Sequence, residues 1–229
     1  MKRLILFTFL LLKLSDSLAQ FGMDVSYKQM YSSQWDRAIQ TYNLSRPFLS
    51  EKQPLLTQGV NLAFFHLTKT DKKFKHGVNL SYSFFRSTAL NENLENTINL
   101  HFLQLGYMVC YENLAKSPGL YCDMIVSAIS SGLFRKVNGE LFQFDGITAK
   151  ALGIGGNLDL KIGYHVKWKN ETFLSPFVSV GYTPYLYSPN VEVILNQTKG
   201  LTSKAWTGIA TTQVGVKLHL MSKIGRAHV

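Results

Sequence analysis

The chain has 229 residues, of which 46% are hydrophobic and only 17% charged, with a formal net charge of +10 and two cysteines. That length suits about one domain. No Arg-rich helix and no aromatic-basic nucleic-acid motif is present, which sets nucleic-acid binding aside, and beyond the N-terminus no apolar run is long enough for a transmembrane helix.

Met1 to Ala19 reads as a secretory signal peptide. Lys2 and Arg3 form the basic region, Leu4 to Leu12 an apolar core too short to span a bilayer, and Ser17-Leu18-Ala19 a small-x-small cleavage site. No cysteine follows it, so a lipid anchor on a mature N-terminal cysteine is not expected. At the other end, Ile224 to Val229 reads IGRAHV, the translation of one frame of a common short-read sequencing adapter, and is treated as an artefact outside the fold. The domain is expected over 20–222. Several basic residues (Lys2, Arg3, Lys13, Lys223, Arg226) lie outside it, so the domain itself is only mildly basic, and its lysines gather at turns, such as Lys69, Lys72, Lys73 and Lys75. A mild positive balance suits a phosphate-rich lipid surface.

The first strand is expected at Phe21 to Tyr31, with Met23, Val25 and Tyr27 on one face and Asp24, Ser26 and Lys28 on the other. A helix follows at Ser33 to Asn43. Trp35, Ala38, Ile39 and Tyr42 share a face, Ser32 or Ser33 can cap its start, and Arg46-Pro47 ends it. It covers the rim of the fold or acts in recognition. Further strands are expected near Leu56 to Thr68, His76 to Ala89, Thr97 to Tyr111 with a bulge near Phe102, and Gly119 to Leu133. Cys110 and Cys122 fall on opposite phases of adjoining strands, which argues against a disulfide.

The clearest strand is Leu152 to Trp168. Leu152, Ile154, Leu158, Leu160, Ile162, Tyr164, Val166 and Trp168 fall on one phase of a two-residue repeat; Asp159, Lys161, His165 and Lys167 are among those on the other. It is far longer than the usual globular strand. Two more strands follow, at Thr172 to Tyr187 and Ala205 to Met221.

The connections vary in length. Long ones are expected at 32–55, 134–151 and 188–204 and a middling one at 90–96; short ones centre on Asp71-Lys72-Lys73, Lys116 to Pro118 and Lys169 to Glu171. Long loops on one end and short turns on the other mark an outer-membrane barrel, with short turns in the periplasm. The mean hydropathy of +0.01 agrees, because alternating strands average out. The fold class is therefore all-β: an antiparallel up-and-down transmembrane β-barrel of about eight strands, both termini periplasmic, with one short helix in the first long loop.

In this pattern the chain resembles the small eight-stranded outer-membrane barrels of Gram-negative bacteria. The Ala19-Gln20 signal end resembles Bacteroidetes exports. The segments QWDRAIQTYNLSRPFL (Gln34 to Leu49) and SPFVSVGYTPYLYSPN (Ser175 to Asn190) resemble an uncharacterised family, which implies fold and location but no chemistry. The resemblance implies a porin-like envelope protein, monomeric, whose partners are outer-membrane lipid and lipopolysaccharide.

Chemistry is sparse. No zinc spacing, phosphate-binding loop or nucleophile elbow occurs, and no catalytic, cofactor or metal residue is assigned. A lipid-modifying enzyme would need a His, a Ser and an acid at the outer rim. Only His101, with Ser130 or Ser131, comes near, and no fixed spacing supports a triad. The polar constellation is instead internal: Asp24, Lys28, Asp123, Asp159, Lys161 and Lys217 share the lumen phase and are expected to pair into a plug, with Asp24 meeting Lys217 across the closing seam. Tyr107, Tyr111, Tyr121, Tyr164, Trp168, Tyr182 and Tyr187 are expected in interfacial girdles. Function is then expected in the loops: surface interaction, envelope integrity, or binding of a small or lipidic ligand. The rival is a periplasmic lipocalin-like barrel, with the apolar phase facing inward.

Overall fold

The computed structural model describes residues 20–47, 49–68, 73–92, 94–112, 119–144, 147–148, 150–169, 172–189, 194–195 and 208–220. The expected signal peptide at 1–19 and the suspect tail at 224–229 lie outside them.

Eight long antiparallel strands close into a barrel: β1 (Gln20–Tyr31), β2 (Gln58–Leu67), β3 (Phe74–Asn91), β4 (Leu94–Glu112), β5 (Gly119–Val137), β6 (Lys150–Lys169), β7 (Thr172–Tyr187) and β8 (Gly208–Leu220). Each pairs with its sequence neighbour, and β1 closes on β8 from Phe21 opposite Leu220 to Tyr31 opposite Ala210. Closure leaves no free edge, so every strand can satisfy its backbone within the wall. Among the described residues no helix is long and apolar enough to cross a membrane.

Sidedness follows the two-residue repeat. In β6, Leu158, Leu160, Ile162 and Tyr164 are exposed, while Asn157, Asp159, Lys161 and His165 are buried. The same holds in β1, where Val25 and Tyr27 point out and Asp24, Ser26 and Lys28 point in. A barrel with charges inside and an apolar belt outside is the reverse of a lipocalin-like container. Its surroundings must be apolar for the exposed face to be stable.

The wall is uneven. Strands β3 to β6 hold 18, 19, 19 and 20 residues, against 12 in β1 and 10 in β2. Since about 9–11 residues suffice to span a bilayer, the β3–β6 side rises well past an apolar core. Two expected loops shrink accordingly. The 90–96 connection is a tight hairpin between Asn91 and Leu94, with Glu92 at φ 50°. Strand β5 continues to Val137 and turns at Asn138-Gly139, both with positive φ, onto a short strand at Glu140–Leu141. Asn-Gly is the favoured pair for such a turn because both positions need the left-handed region.

The expected bulge near Phe102 is absent. Register runs unbroken from Asn91 opposite Leu94 to Phe74 opposite Tyr111, and β4 matches β5 equally well. The backbone keeps its phase; the chemistry of the inner face changes instead. Ile98, Leu100 and Phe102 point inward because the upper lumen is a dry core.

Helix α1 (Ser33–Leu44) creates that core. Trp35, Ala38, Ile39 and Tyr42 are buried and pack with Met30, Leu56, Phe85, Ile98, Leu100, Phe102, Ile129, Leu133, Tyr185 and Ile209. Ser32 is the N-cap residue, although its side chain makes no capping bond. Asn43 and Gln53 exchange two hydrogen bonds of 2.9 Å, Nδ2 to the Gln53 carbonyl and the Gln53 amide to Oδ1. Gln53 then accepts from Asn96 Nδ2 at 2.8 Å, and Asn96 Oδ1 accepts from Arg135 Nε at 2.7 Å. This chain of amides ties the helix to the tall wall.

Candidate functional site: a filled lumen and a groove on the outer wall

The interior has three layers between the short-turn end and the long-loop end. The middle layer holds the charges expected from sequence. Asp24, Lys28, Asp123, Asp159, Lys161 and Lys217 are all buried inside the barrel. Their pairing differs from expectation. Asp24 and Lys217 are register partners on one face, yet Asp24 Oδ2 accepts from Lys161 Nζ at 2.5 Å, and Lys217 Nζ donates to Asp123 Oδ2 at 3.0 Å. Each ion reaches across the lumen rather than along the seam. Lys217 also lies 4.5 Å from the Tyr121 ring and 4.6 Å from the Phe65 ring, and Lys161 4.4 Å from that of Phe177. Aromatic faces favour these placements by attracting cations.

Neutral groups fill the rest of the middle layer. Thr183 donates to Asn157 Oδ1 at 2.7 Å, and Asn157 Nδ2 to Asp159 Oδ2 at 2.5 Å. Ser26 donates to Gln213, Ser83 to Asn61 and Ser81 to Gln104. The cavity left between Asp24, Asn61, Gln104, Asp159, Lys161 and Gln213 is about 10 Å³. A single water needs about 10–15 Å³, so this cavity holds about one water at most.

The short-turn layer contains residues that sequence reasoning missed. Lys75 does not lie at a turn; it is buried in β3 and donates to Glu112 Oε2 at 2.5 Å and to Gln20 Oε1 at 2.9 Å. His165 and His219 are buried beside Glu112. The signal was available, because Glu112 lies two residues from Cys110 and so on the same face. Tyr121 also belongs here. It points inward and stacks on His165 with centroids 4.4 Å apart, in contrast to the outward girdle position expected for it. Gly163 permits this: a Cβ there would meet the Tyr121 ring at 2.5 Å. Tyr107, Tyr164, Trp168, Tyr182 and Tyr187 are exposed as expected of girdle residues. Cys110 is buried and Cys122 exposed, and both are free thiols.

At the loop end, partial burial pushes the Asp36 carboxyl up from its ordinary value. Below, on the outside of the tall wall, a groove of about 710 Å³ opens across β3, β4 and β5. Tyr82, Phe84, Leu103, Phe134, Leu141 and Leu152 give it apolar sides, and Arg86, Asn99, His101, Ser130 and Lys136 are its polar groups. It begins where the apolar belt ends. In β4 the outward residues pass from Tyr107, Leu105 and Leu103 to His101 and Asn99; in β3 they pass from Val78, Leu80 and Tyr82 through Phe84 to Arg86. Gly132, opposite His101, forms part of the floor. Phe134 meets His101 edge-on at 5.5 Å. Arg86 is partly engaged by Glu95 at 3.1 Å.

The groove holds the rim histidine, but among the described residues no triad assembles around it. His101 Nδ1 lies 2.5 Å from the Tyr82 hydroxyl. Ser131 points into the barrel while Ser130 faces the groove. Glu95 is committed to Arg86 and to Thr97.

The architecture is that of a known class. The fold matches the crystal structure of Neisserial surface protein A with a TM-score of 0.53 and 8% identity, covering 90% of this chain and 98% of that one. Ail, the attachment invasion locus protein of Yersinia pestis in complex with the heparin analogue sucrose octasulfate, aligns with a TM-score of 0.40 and 10% identity over 88% and 99% of the two chains. No protein-family model matches the chain, and no curated protein matches it in sequence. The likeness to Neisserial surface protein A establishes the closed eight-stranded outer-membrane barrel fold.

Proposed function

We propose that this chain is a monomeric outer-membrane barrel of Bacteroidetes type, with both termini in the periplasm, that binds phosphorylated lipid of the outer leaflet in the groove on β3–β5. It conducts no solute and catalyses no reaction. The observation that carries this reading is the position of the groove. It lies at the upper boundary of the apolar belt, where acyl chains give way to headgroups, and it joins an aromatic-aliphatic wall to two cations. Arg86 and Lys136 suit phosphate oxygens, while Phe84, Leu103 and Leu152 suit the first methylenes of acyl chains. The buried charge layer supports the same reading, since among the described residues the cavity beside Asp24 and Lys161 is only about 10 Å³.

The test is lipid retention. Wild-type protein and the Arg86→Ala/Lys136→Ala variant are extracted from outer membranes in mild detergent, and lipopolysaccharide retained per protein is measured. Each basic side chain near an anionic surface contributes about 1 kcal/mol. With Arg86 already shared with Glu95, the double change should lower retention on the order of tenfold. Equal retention would remove the groove assignment. Recovery of the folded protein in the soluble fraction would remove the membrane assignment.

A further inference from the structure

At the opposite end of the barrel, away from the groove, three potential metal ligands meet. Glu112 is the last residue of β4, His219 the penultimate residue of β8, and His165 lies near the end of β6. All three are buried, and one donor atom from each lies within 4.8 Å of the others. Glu112 Oε1 is 3.7 Å from His165 Nε2 and 3.5 Å from His219 Nδ1. A tetrahedral ion with ligands at about 2.1 Å sets ligand atoms about 3.4 Å apart. Two of the three separations thus stand close to that spacing, and the third is within 4.8 Å.

The surroundings orient these donors. Lys75 takes Glu112 Oε2 and leaves Oε1 facing the imidazoles. Ser175 Oγ lies 2.7 Å from His165 Nδ1. As acceptor there, it sets the tautomer whose Nε2 carries the lone pair. Metal-binding histidines are held in this way, with the other ring nitrogen donating to a fixed oxygen. Meanwhile His165 Nε2 and both ring nitrogens of His219 have no hydrogen-bond partner among the described residues, although the two side chains are 1% and 0% exposed. Buried polar atoms without partners are rare and call for an explanation.

We infer that Glu112, His165 and His219 bind one zinc-class divalent ion at the short-turn end of the lumen. The fourth position falls to water or to Cys110, whose Sγ donates to the same Glu112 oxygen at 3.2 Å. Charge selects the kind of metal. Lys75 is balanced by Glu112 and Lys217 by Asp123, so among the described residues no cluster of uncompensated carboxylates stands beside the two imidazoles to hold a hydrated Mg²⁺ or Ca²⁺. Two imidazoles and one carboxylate favour Zn²⁺ and its neighbours. The ion would link β4, β6 and β8, which are not sequential neighbours in the wall, and would close the lumen at its base.

The test uses untagged mature protein extracted from membranes, stripped with chelator and equilibrated with Zn²⁺. One zinc per chain is expected by elemental analysis after gel filtration. The temperature at which the folded gel band converts to the unfolded band should rise with zinc. His219→Gln and His165→Gln keep the charge pairs intact and should abolish both effects. Loss of an outer-shell partner weakens metal binding about 10–100-fold, so loss of a ligand imidazole should exceed about 100-fold. Retention of stoichiometric zinc in both histidine variants would overturn the inference. So would its loss in Cys122→Ser, because Cys122 is an exposed thiol on the outer face and the obvious adventitious binder. No zinc in folded wild type, or binding without a shift in the transition, would overturn it as well.

Discussion

Replacing Asp24 tests the lumen network directly. Its Oδ2 accepts from Lys161 at 2.5 Å, and both side chains are almost wholly buried. At an effective dielectric of about 20, unit charges 4 Å apart attract by about 4 kcal/mol, and this pair is closer. Desolvation offsets much of that gain while the pair is intact. In Asp24→Asn, Lys161 stays charged without the carboxylate it bonds, in a cluster that also holds Lys28 and Asp159. Breaking a buried pair from one side costs about 3–5 kcal/mol. Lys161→Met should cost a similar amount, and the double variant much less than the sum, because no unpaired charge remains. A coupling of at least about 2 kcal/mol is expected, within the range for residues in contact. Asp24→Asn with Lys217→Met should couple more weakly, although those two positions face each other across β1 and β8, because Lys217 bonds Asp123. Urea unfolding in lipid vesicles, followed by tryptophan fluorescence and gel migration, gives the four free energies of each cycle. Stronger coupling of Asp24 to Lys217 than to Lys161 would refute the cross-lumen pairing.

Two further predictions concern the cap and the faces of the wall. Trp35→Ala removes a side chain that is 2% exposed in the upper core and lies 6.3 Å from the Tyr185 ring; it should cost about 3–5 kcal/mol. It should produce no solute conductance in planar bilayers, because the charged layer beneath still fills the lumen. In folded protein in membranes, a lipid-soluble maleimide should label Cys122 and spare Cys110, with both reacting after denaturation. Labelling of Cys110 in the folded state would contradict its inward position.

The two-residue repeat made the wall readable, because side-chain period and burial are locked together in a strand. Leu158, Asp159, Leu160 and Lys161 announce their faces by alternation alone, and so do Asp24 and Lys28. The helix face of Trp35, Ala38, Ile39 and Tyr42 was equally plain. Reading failed where the inner face changed chemistry. Ile98, Leu100 and Phe102 suggested a slipped phase, since an apolar residue was assumed to face lipid; the helix above them makes the inside apolar too. Lys75 looked like a turn lysine because strand ends are blurred in sequence, and its partner Glu112 lies 37 positions away. The groove was illegible for a similar reason, since Arg86, His101 and Lys136 come from three strands.

Local pattern by itself determined eight long strands, their two faces and a capping helix, because each rests on residues within a few positions of one another. Tertiary structure alone decided which charges pair, what fills the lumen, and that Glu112, His165 and His219 converge. Asp24 and Lys161 are 137 positions apart and Asp123 and Lys217 are 94 apart. Alternation sends a side chain inward, but only closure of the barrel, with its strand order and stagger, chooses the partner it meets there.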